Sequence, residues 1–273
     1  MIDPYWESVS LLMNFNDQAD LSQDFVDASK WARPAVANGA GCVINNTIKK
    51  FGTGSCHASG ASSGVRIGGA HDSLNYLGTA DFTIEAWIYG AAEPNPDGYW
   101  VAVGDASPSP DQFGWALGWR RTTNGLQLKA SANGTSVINY IADLDTELGS
   151  IGPTGFYNST FHHVHITRHH QNLIIGLDGL SSVDNAAFDM DVFNHPDQPL
   201  TIMGVANGAG ISNSPVGNYM DSIRVTKGVA RYTGATTYTA PTADFPTAGP
   251  AEAAQFIRRR RRQYGNQSSL RRR

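Results

Sequence analysis

The chain has 273 residues, of which 41% are hydrophobic, with 29 glycines, 13 prolines and a formal net charge of −4. A chain of this length can bury a sizeable core, and all-β folds often reach such a length as one domain. The sequence has no apolar run long enough to span a bilayer, and its acidic start lacks the basic residues and cleavage site of a signal peptide. These features predict a soluble protein made in a cytosol, with no membrane partner.

Short apolar segments separated by glycine, proline and asparagine recur along the whole chain. The clearest is DFTIEAWIY at 81–89, where apolar residues alternate with Thr83, Glu85 and Trp87 at the period of a strand. Many short strands with few helices favour a sandwich or jelly roll. In chain order, strands are predicted at 8–15, 42–48, 55–67, 81–89, 100–104, 114–120, 126–132, 137–141, 200–205 and 219–226, with a hairpin at 161–182 and helical turns near 181–188 or 227–232.

The hairpin FHHVHITRHHQNLIIGLDGLSS at 161–182 is the most informative stretch. Its first strand alternates Val164 and Ile166 with histidines, and the dipeptide Asp178-Gly179 suits a tight turn because glycine tolerates positive φ. An isolated hairpin is only marginally stable in water. The sequence therefore predicts that this hairpin belongs to a larger sheet with a buried face.

Four motifs, in the expected order, resemble the laminin-G-like group of the concanavalin A-like lectin/glucanase fold. They are KKFGTGSCHASG at 49–60, DFTIEAWIY at 81–89, FHHVHITRHHQNLIIGLDG at 161–179 and NYMDSIRVTKGVARYT at 218–233. The opening DPYWESVSLLMNF and the TKGVARYT and PTADFP ending are similar to the versions found in bacteriophage virion proteins.

This resemblance covers about residues 3–247 and implies an all-β fold. The expected architecture is a two-sheet antiparallel jelly-roll sandwich of the concanavalin A-like kind with extended N- and C-terminal arms. The expected division is an N-terminal segment at 1–16, a laminin-G-like domain at 17–247 and an Arg-rich arm at 248–273. One fold hosts many functions, so the resemblance predicts less about activity.

Catalysis is not expected. Glucanases of this fold use paired carboxylates in a pattern like ExDxxE, because glycoside cleavage needs an acid and a nucleophile or base across the bond. The chain has five glutamates, and none occurs in such a pattern: Glu7, Glu85, Glu93, Glu147 and Glu252. The sequence therefore predicts a non-enzymatic protein that requires no cofactor.

Metal sites are considered at two places. His163 and His165 share one strand face and His169 and His170 follow at the turn, but the sequence places no Cys, Asp or third His to complete a transition-metal site. These histidines are therefore interpreted as strand positions and a solvated loop. The resemblance implies a structural calcium at Asp221, with Asp27 as partner, and the alternative for Asp221 is a carboxylate that caps a loop through backbone N–H groups.

A glycan site would need exposed aromatic residues to stack on sugar faces. Trp115 and Trp119 fall on one face of a predicted strand, and Tyr99 and Arg120 are near the same end of the predicted sandwich. These four residues are the predicted glycan contacts, and packing in the core is the alternative.

The strongest organisational signal is the charge distribution. Residues 1–250 hold 12 basic and 23 acidic residues, a net charge of −11, whereas residues 251–273 hold eight arginines and one glutamate, a net charge of +7. The arm is interpreted as docking on carboxylates of a neighbouring protein. Nucleic-acid binding is less favoured because a polyanion repels the acidic domain, and a solvated tail is the third alternative. The predicted contacts are Phe256, Arg258, Arg259, Arg260, Arg261, Arg262, Tyr264, Arg271, Arg272 and Arg273.

Together these features predict a structural protein of a phage virion, either a capsid decoration or a tail-associated protein. It would be made in the host cytoplasm, reside in the virion, and dock through its arm on other virion proteins or on its own copies as a homo-oligomer. The alternative is a carbohydrate-binding adhesion module that recognises glycans on the host surface.

Overall fold

The computed structural model describes residues 2–68, 76–91, 98–104, 113–120, 125–133, 137–143, 155–184, 188–192, 199–208, 210–212 and 214–250. Over these ranges the chain forms two antiparallel sheets, a short two-stranded ribbon and a single-turn 3-10 helix at Trp6–Ser8. This confirms the predicted all-β, two-sheet antiparallel sandwich. None of the helices in the described ranges is long and apolar enough to cross a membrane.

Sheet A contains the predicted hairpin and the most regular strand. Its strands are β1 (Val9–Met13), β3 (Cys42–Asn45), β4 (Ser55–Ala58), β6 (Phe82–Tyr89), β11 (Phe161–His169), β12 (Asn172–Leu177), β13 (Leu180–Asp184) and β17 (Tyr219–Lys227). They are arranged β13-β12-β11-β6-β17-β4-β3, and β1 pairs with residues 223–226 of β17, on the edge that β17 shares with β4. The sheet therefore joins the first and the last strand of the chain.

Sheet B is built mostly from the middle of the sequence. Its strands are β2 (Ala35–Asn38), β5 (Gly64–Ile67), β7 (Gly98–Gly104), β8 (Phe113–Arg120), β9 (Gly125–Ser131), β10 (Val137–Asp143) and β14 (Leu200–Ile202), in the order β10-β9-β8-β7-β14-β5-β2. The ribbon pairs β15 (Val205–Asn207) with β16 (Gly210–Ser212).

The main core lies between the two sheets. Phe82, Ile84, Ala86 and Ile88 of β6 all belong to this core cluster, as the alternation in the sequence predicts. The opposite face of β6 does not meet solvent either. There the chain at 228–250, which we call the closing segment, and the N-terminal residues cover sheet A, and Phe245 packs with Val9, Leu12 and Trp87 in a second cluster.

Two strand predictions were wrong, and one edge strand was not predicted. Residues 55–67 form two strands in different sheets, because the chain turns at Gly60, whose carbonyl accepts a bond from Ser63 N (3.2 Å). Residues 200–205 break at Met203, which adopts a φ of 56°. The edge strand β2 lies between the predicted strands at 8–15 and 42–48 and was not predicted.

The helical turn predicted near 181–188 is also wrong, because β13 occupies Leu180–Asp184. Asp178 and Gly179 both have positive φ (47° and 95°), which is the backbone of a type I′ hairpin turn. This turn returns the chain as a third antiparallel strand beside β12.

Candidate binding surface

The residues predicted to bind glycans are mostly in the core. Trp115 and Trp119 are 1% and 0% exposed, Tyr99 is 3% exposed and Arg120 is only partly exposed. Phe156 stacks on Trp119 with ring centroids 5.1 Å apart and an interplanar angle of 20°. The prediction is corrected in favour of its alternative: the face of β8 that carries Trp115 and Trp119 points between the sheets, so neither indole can stack on a sugar.

A different tryptophan is exposed. Trp31, in the connection between β1 and β2, has 48% of its surface accessible. The Lys30 ammonium lies 4.8 Å from the centroid of the indole and 2.7 Å from Glu7 Oε2 on the 3-10 helix. We call Glu7, Lys30 and Trp31 the Trp31 patch. It combines an apolar ring with one positive and one negative group, all reachable from solvent.

The loop that presents Trp31 is held in place by a buried ion pair. Asp27 is 3% exposed, and its Oδ2 accepts bonds from Arg33 N and Arg33 Nε, both at 3.2 Å. Its Oδ1 accepts bonds from the amides of Leu12 (3.2 Å) and Ser29 (3.0 Å). The carboxylate therefore ties both ends of the loop to β1.

Asp221, the other acid predicted to bind calcium, lies in a separate network. Its Oδ2 accepts bonds from the amides of Lys50 and Phe51, the latter at 2.8 Å. Burial raises the pKa of Asp221 to about 7, aided by Asp244 and opposed by these hydrogen bonds. The observed contacts match the alternative, a carboxylate that caps a loop. Calcium binding at Asp221 and Asp27 stays a prediction.

A buried ionic network occupies the outer face of sheet A beneath the closing segment. Glu85 of β6 is fully buried, and its Oε1 lies 2.7 Å from Arg224 Nη2, while Tyr232 donates a 2.5 Å bond to Oε2. Burial alone would raise the pKa of Glu85, but Arg224, His163 and Arg231 outweigh it and hold that pKa well below its usual range. The carboxylate is thus charged and permanently paired.

The same network reaches both termini of the domain. Asp3 is 1% exposed and pairs with Arg224 Nη1 and Arg231 Nη2, each at 2.8 Å. A backbone hydrogen bond from Asp3 N to Ala248 O (2.9 Å) also joins the N-terminal residues to the closing segment. The network fastens the N-terminal residues and the closing segment onto the sheet. Glu85 itself has no solvent-exposed surface.

The first histidine pair of β11 belongs to this network. His163 Nδ1 lies 2.9 Å from Tyr238 Oη, and its Nε2 is 3.5 Å from Glu85 Oε2. His165 stacks on Tyr232 at a centroid distance of 4.4 Å. Burial, reinforced by His163 and opposed by Glu85, lowers the pKa of His165 to about 3. These two side chains are buried packing groups, as their interpretation as strand positions predicted.

The second pair lies at the exposed end of the strand and has a partner that the sequence interpretation missed. Single ligand atoms of Asp81, His169 and His170 all lie within 4.8 Å of one another. Phe82 of β6 pairs with Arg168 of β11, so the residue before β6 comes beside the residues after Arg168. The proximity of Asp81 to the two histidines therefore follows from the register between two predicted strands and not from a local motif.

The predicted docking arm lies outside the described residues. This applies to Phe256, Tyr264 and the arginines at 258–262 and 271–273, so their contacts stay predictions.

No protein-family profile matches the chain, and no curated protein matches it. Among solved structures, the chain is similar to the binding domain of Paraclostridial Mosquitocidal Protein 1, with a TM-score of 0.58 and 13% identity over 82% of this chain and 49% of that one. It is also similar to the botulinum neurotoxin serotype D binding domain (TM-score 0.53, 14% identity, 82% and 49% covered). A third is the binding domain of botulinum neurotoxin DC in complex with SialylT (TM-score 0.52, 15% identity, 81% and 48% covered).

The chain spans about half the length of these three toxin domains. At such low identity the likeness shows the fold alone. It supports a β-sandwich of the kind found in toxin binding domains, and the narrower resemblance to laminin-G-like phage proteins is not tested by these structures. The chain therefore carries the sandwich architecture of these binding domains, with its own exposed aromatic patch at Trp31.

Proposed function

We propose that the chain is a non-enzymatic binding domain that recognises a surface glycan. The observation that carries this proposal is the sandwich it shares with toxin binding domains, one of which is described in complex with SialylT and another in complex with rat synaptotagmin II. The ligands of these similar structures thus include both a glycan and a protein. The Trp31 patch favours the glycan for this chain.

The chemistry of the Trp31 patch fits a sugar. A sugar ring presents C–H groups on one face, which pack on an aromatic ring, and hydroxyls on its edge, which bond to polar groups. Trp31 offers the ring, and Lys30 and Glu7 offer a donor and acceptors within 2.7 Å of each other. Since Asp27 and Arg33 hold the loop, little ordering entropy is lost on binding.

The placement of the described glutamates supports a non-enzymatic role. Glu85 is sealed in its ion pairs, and Glu7 is paired with Lys30 at the surface. Neither belongs to a carboxylate pair flanking a groove, which glycoside hydrolysis requires.

The proposal is tested by screening the purified chain on a glycan array, followed by calorimetric titration with the best hit. Trp31→Ala should weaken binding at least tenfold, and Trp31→Phe should restore part of the affinity, because aromatic anchors dominate binding energy. Leu21→Ala is the matched control, since Leu21 is 68% exposed in the same connection and should not contribute. No hit on the array, or equal affinity for Trp31→Ala and the parent, would overturn the proposal.

A second candidate rests on the charge distribution. An acidic domain of net charge −11 with an arm of net charge +7 fits a virion surface protein that docks through the arm. Under this proposal the protein would reside in the virion and contact other virion proteins or its own copies. Deleting residues 251–273 should abolish co-sedimentation with particles while the domain stays folded. Full occupancy of particles by the truncated chain would contradict docking through the arm.

A further inference from the structure

The exposed turn between β11 and β12 brings together two imidazoles and a carboxylate. Asp81 and His169 are partly exposed and His170 is exposed, and one ligand atom from each lies within 4.8 Å of the other two. The two histidine rings are 4.3 Å apart, centroid to centroid. We propose that Asp81, His169 and His170 form a binding site for a divalent transition metal of the zinc class.

The backbone fixes these three residues independently of any metal. His169 pairs with Asn172 at the end of the β11–β12 ladder, and His170 adopts a φ of 57° in the turn. Asp81 Oδ1 accepts the amide proton of His170 (2.8 Å), and the Asp81 carbonyl accepts a bond from Gly228 N (2.7 Å). The ligands are therefore positioned in advance, which lowers the entropy lost on binding a metal.

The residue before the two histidines, Arg168, also holds the turn in place. Arg168 is 3% exposed; its Nε donates to His170 O (3.1 Å) and its Nη1 to Met190 O (2.9 Å). These bonds attach the residue before the histidine pair to a loop on the far side of the strand. The three ligands therefore move together with the sheet.

The donor set selects the class of metal. Imidazole nitrogen suits zinc, copper, nickel and iron, whereas calcium and magnesium prefer oxygen-only sites. One Asp81 oxygen can hold the His170 amide while the carboxylate also offers an oxygen to the metal. Three protein ligands leave at least one coordination position for water or for an acceptor group of a bound molecule.

The site is accessible from solvent, because His170 is exposed and Asp81 and His169 are partly exposed. One of its ligands, His169, also lines an open cleft of about 510 Å³ whose other polar walls come from Asn172, Ser181, Ser182, Thr233 and Thr236.

The test is calorimetric titration of the full chain with zinc chloride alone. We expect one site in the parent, and at least a tenfold loss of affinity in each of Asp81→Asn, His169→Asn and His170→Asn. That loss follows because even changes to groups that only orient a metal ligand cost ten- to a hundredfold. In Asp81→Asn the side-chain carbonyl would still accept the His170 amide proton, and asparagine tolerates left-handed φ at position 170, so these variants test the ligands and not the fold.

His57→Asn is the control, since His57 is a half-buried histidine stacked on Tyr219 at 4.2 Å and is not part of the site. It should bind zinc like the parent. The proposal is overturned if the parent takes up no zinc, or if the three ligand variants bind zinc as tightly as His57→Asn while their metal-free melting temperatures match the parent.

Discussion

Strand β11 carries His163 and His165 on one face and ends at His169, which His170 follows in the turn, and these two histidine pairs have opposite environments. His163 and His165 are fully buried beneath the closing segment, among Glu85, Tyr232 and Tyr238. His169 and His170 lie at the open turn with Asp81. The same residue type is thus a packing group in one place and a metal-ligand candidate six residues away.

The difference shows that burial beneath the closing segment, and not residue type, decides whether a histidine in this region packs in the interior or is free to bind a metal. His165 fits only because Gly176 on the neighbouring strand has no side chain: a Cβ there would overlap the His165 ring and lie 2.8 Å from Tyr238 Cε1. At the turn the imidazoles are reachable and have a carboxylate within ligand distance. Breaking each environment should therefore have very different consequences for stability.

The largest effect is expected from Glu85→Gln. Removing the charge leaves Arg224 buried with only part of its ion pairing, and breaking a buried pair from one side typically costs about 3–5 kcal/mol. Urea denaturation should show this loss in the free energy of unfolding.

Glu7→Gln provides the contrast for Glu85→Gln. Glu7 also pairs with a cation, at 2.7 Å, but its side chain is 79% exposed. Exposed pairs contribute little, so its loss should stay below about 0.5 kcal/mol. Equal losses for the two variants would show that the buried network does not fasten the sheet.

A smaller loss is expected from Gly176→Ala. The added methyl group must displace His165 or Tyr238, and overpacking of this kind costs about 1–3 kcal/mol. Gly210→Ala is the matched control, because the nearest atom to its Cβ would be Asn207 O at 3.5 Å. If both variants unfold at the same urea concentration as the parent, His165 is not confined as tightly as the structure indicates. A double variant, Gly176→Ala with His165→Ala, should lose less stability than the sum of the losses of the two single variants, because the overlap no longer exists once the ring is removed.

The buried imidazole of His165 should also make stability depend on pH. Unfolded His165 takes up its proton near pH 6.5, whereas burial lowers the pKa in the folded state to about 3. Between these values the unfolded chain binds more protons, so the stability present above pH 6.5 is lost as the pH falls through this window. Relative to His165→Gln, the parent should lose roughly 3 kcal/mol of stability between pH 7.5 and 4.5.

Subtracting the pH-dependent stability of His165→Gln from that of the parent removes the contributions of the other titrating groups. Asp221, whose pKa is raised to about 7, is present in both proteins and acts in the opposite direction, because its protonation favours the folded state. Glu85 titrates below the window because its pKa is lowered. A difference that stays constant across this pH range would mean that His165 protonates normally in the folded protein.

The sequence was sufficient to predict the sandwich fold, but not to predict which face of each strand points into the core. Alternation identified β6 and β11, because apolar residues at a period of two mark a half-buried strand, and β8 was predicted as a short strand between turn residues. It did not say which face of β8 points inward. Trp115 and Trp119 therefore appeared as candidate sugar contacts, although they lie in the core.

The candidate sites depended on contacts between distant residues, which local patterns do not contain. Trp31 is presented because Asp27 pairs with Arg33, and Arg33 Nη2 in turn donates to Ser10 O (2.7 Å). Asp81 meets His169 only through the register of β6 with β11. Both features required knowing which segments pair.

The smallest effect on stability is expected at the exposed end of β11, and it completes the comparison. His170→Asn should change the metal-free unfolding free energy by less than about 0.5 kcal/mol, because asparagine accepts the φ of 57° and the side chain of His170 is exposed. His165→Asn should cost several times more, since it replaces a ring packed on Tyr232 and Tyr238. Thermal unfolding of both variants without metal measures the contrast directly. If His170→Asn loses as much stability as His165→Asn, the turn depends on its imidazole for folding, and the division between a packing pair and a ligand pair does not hold.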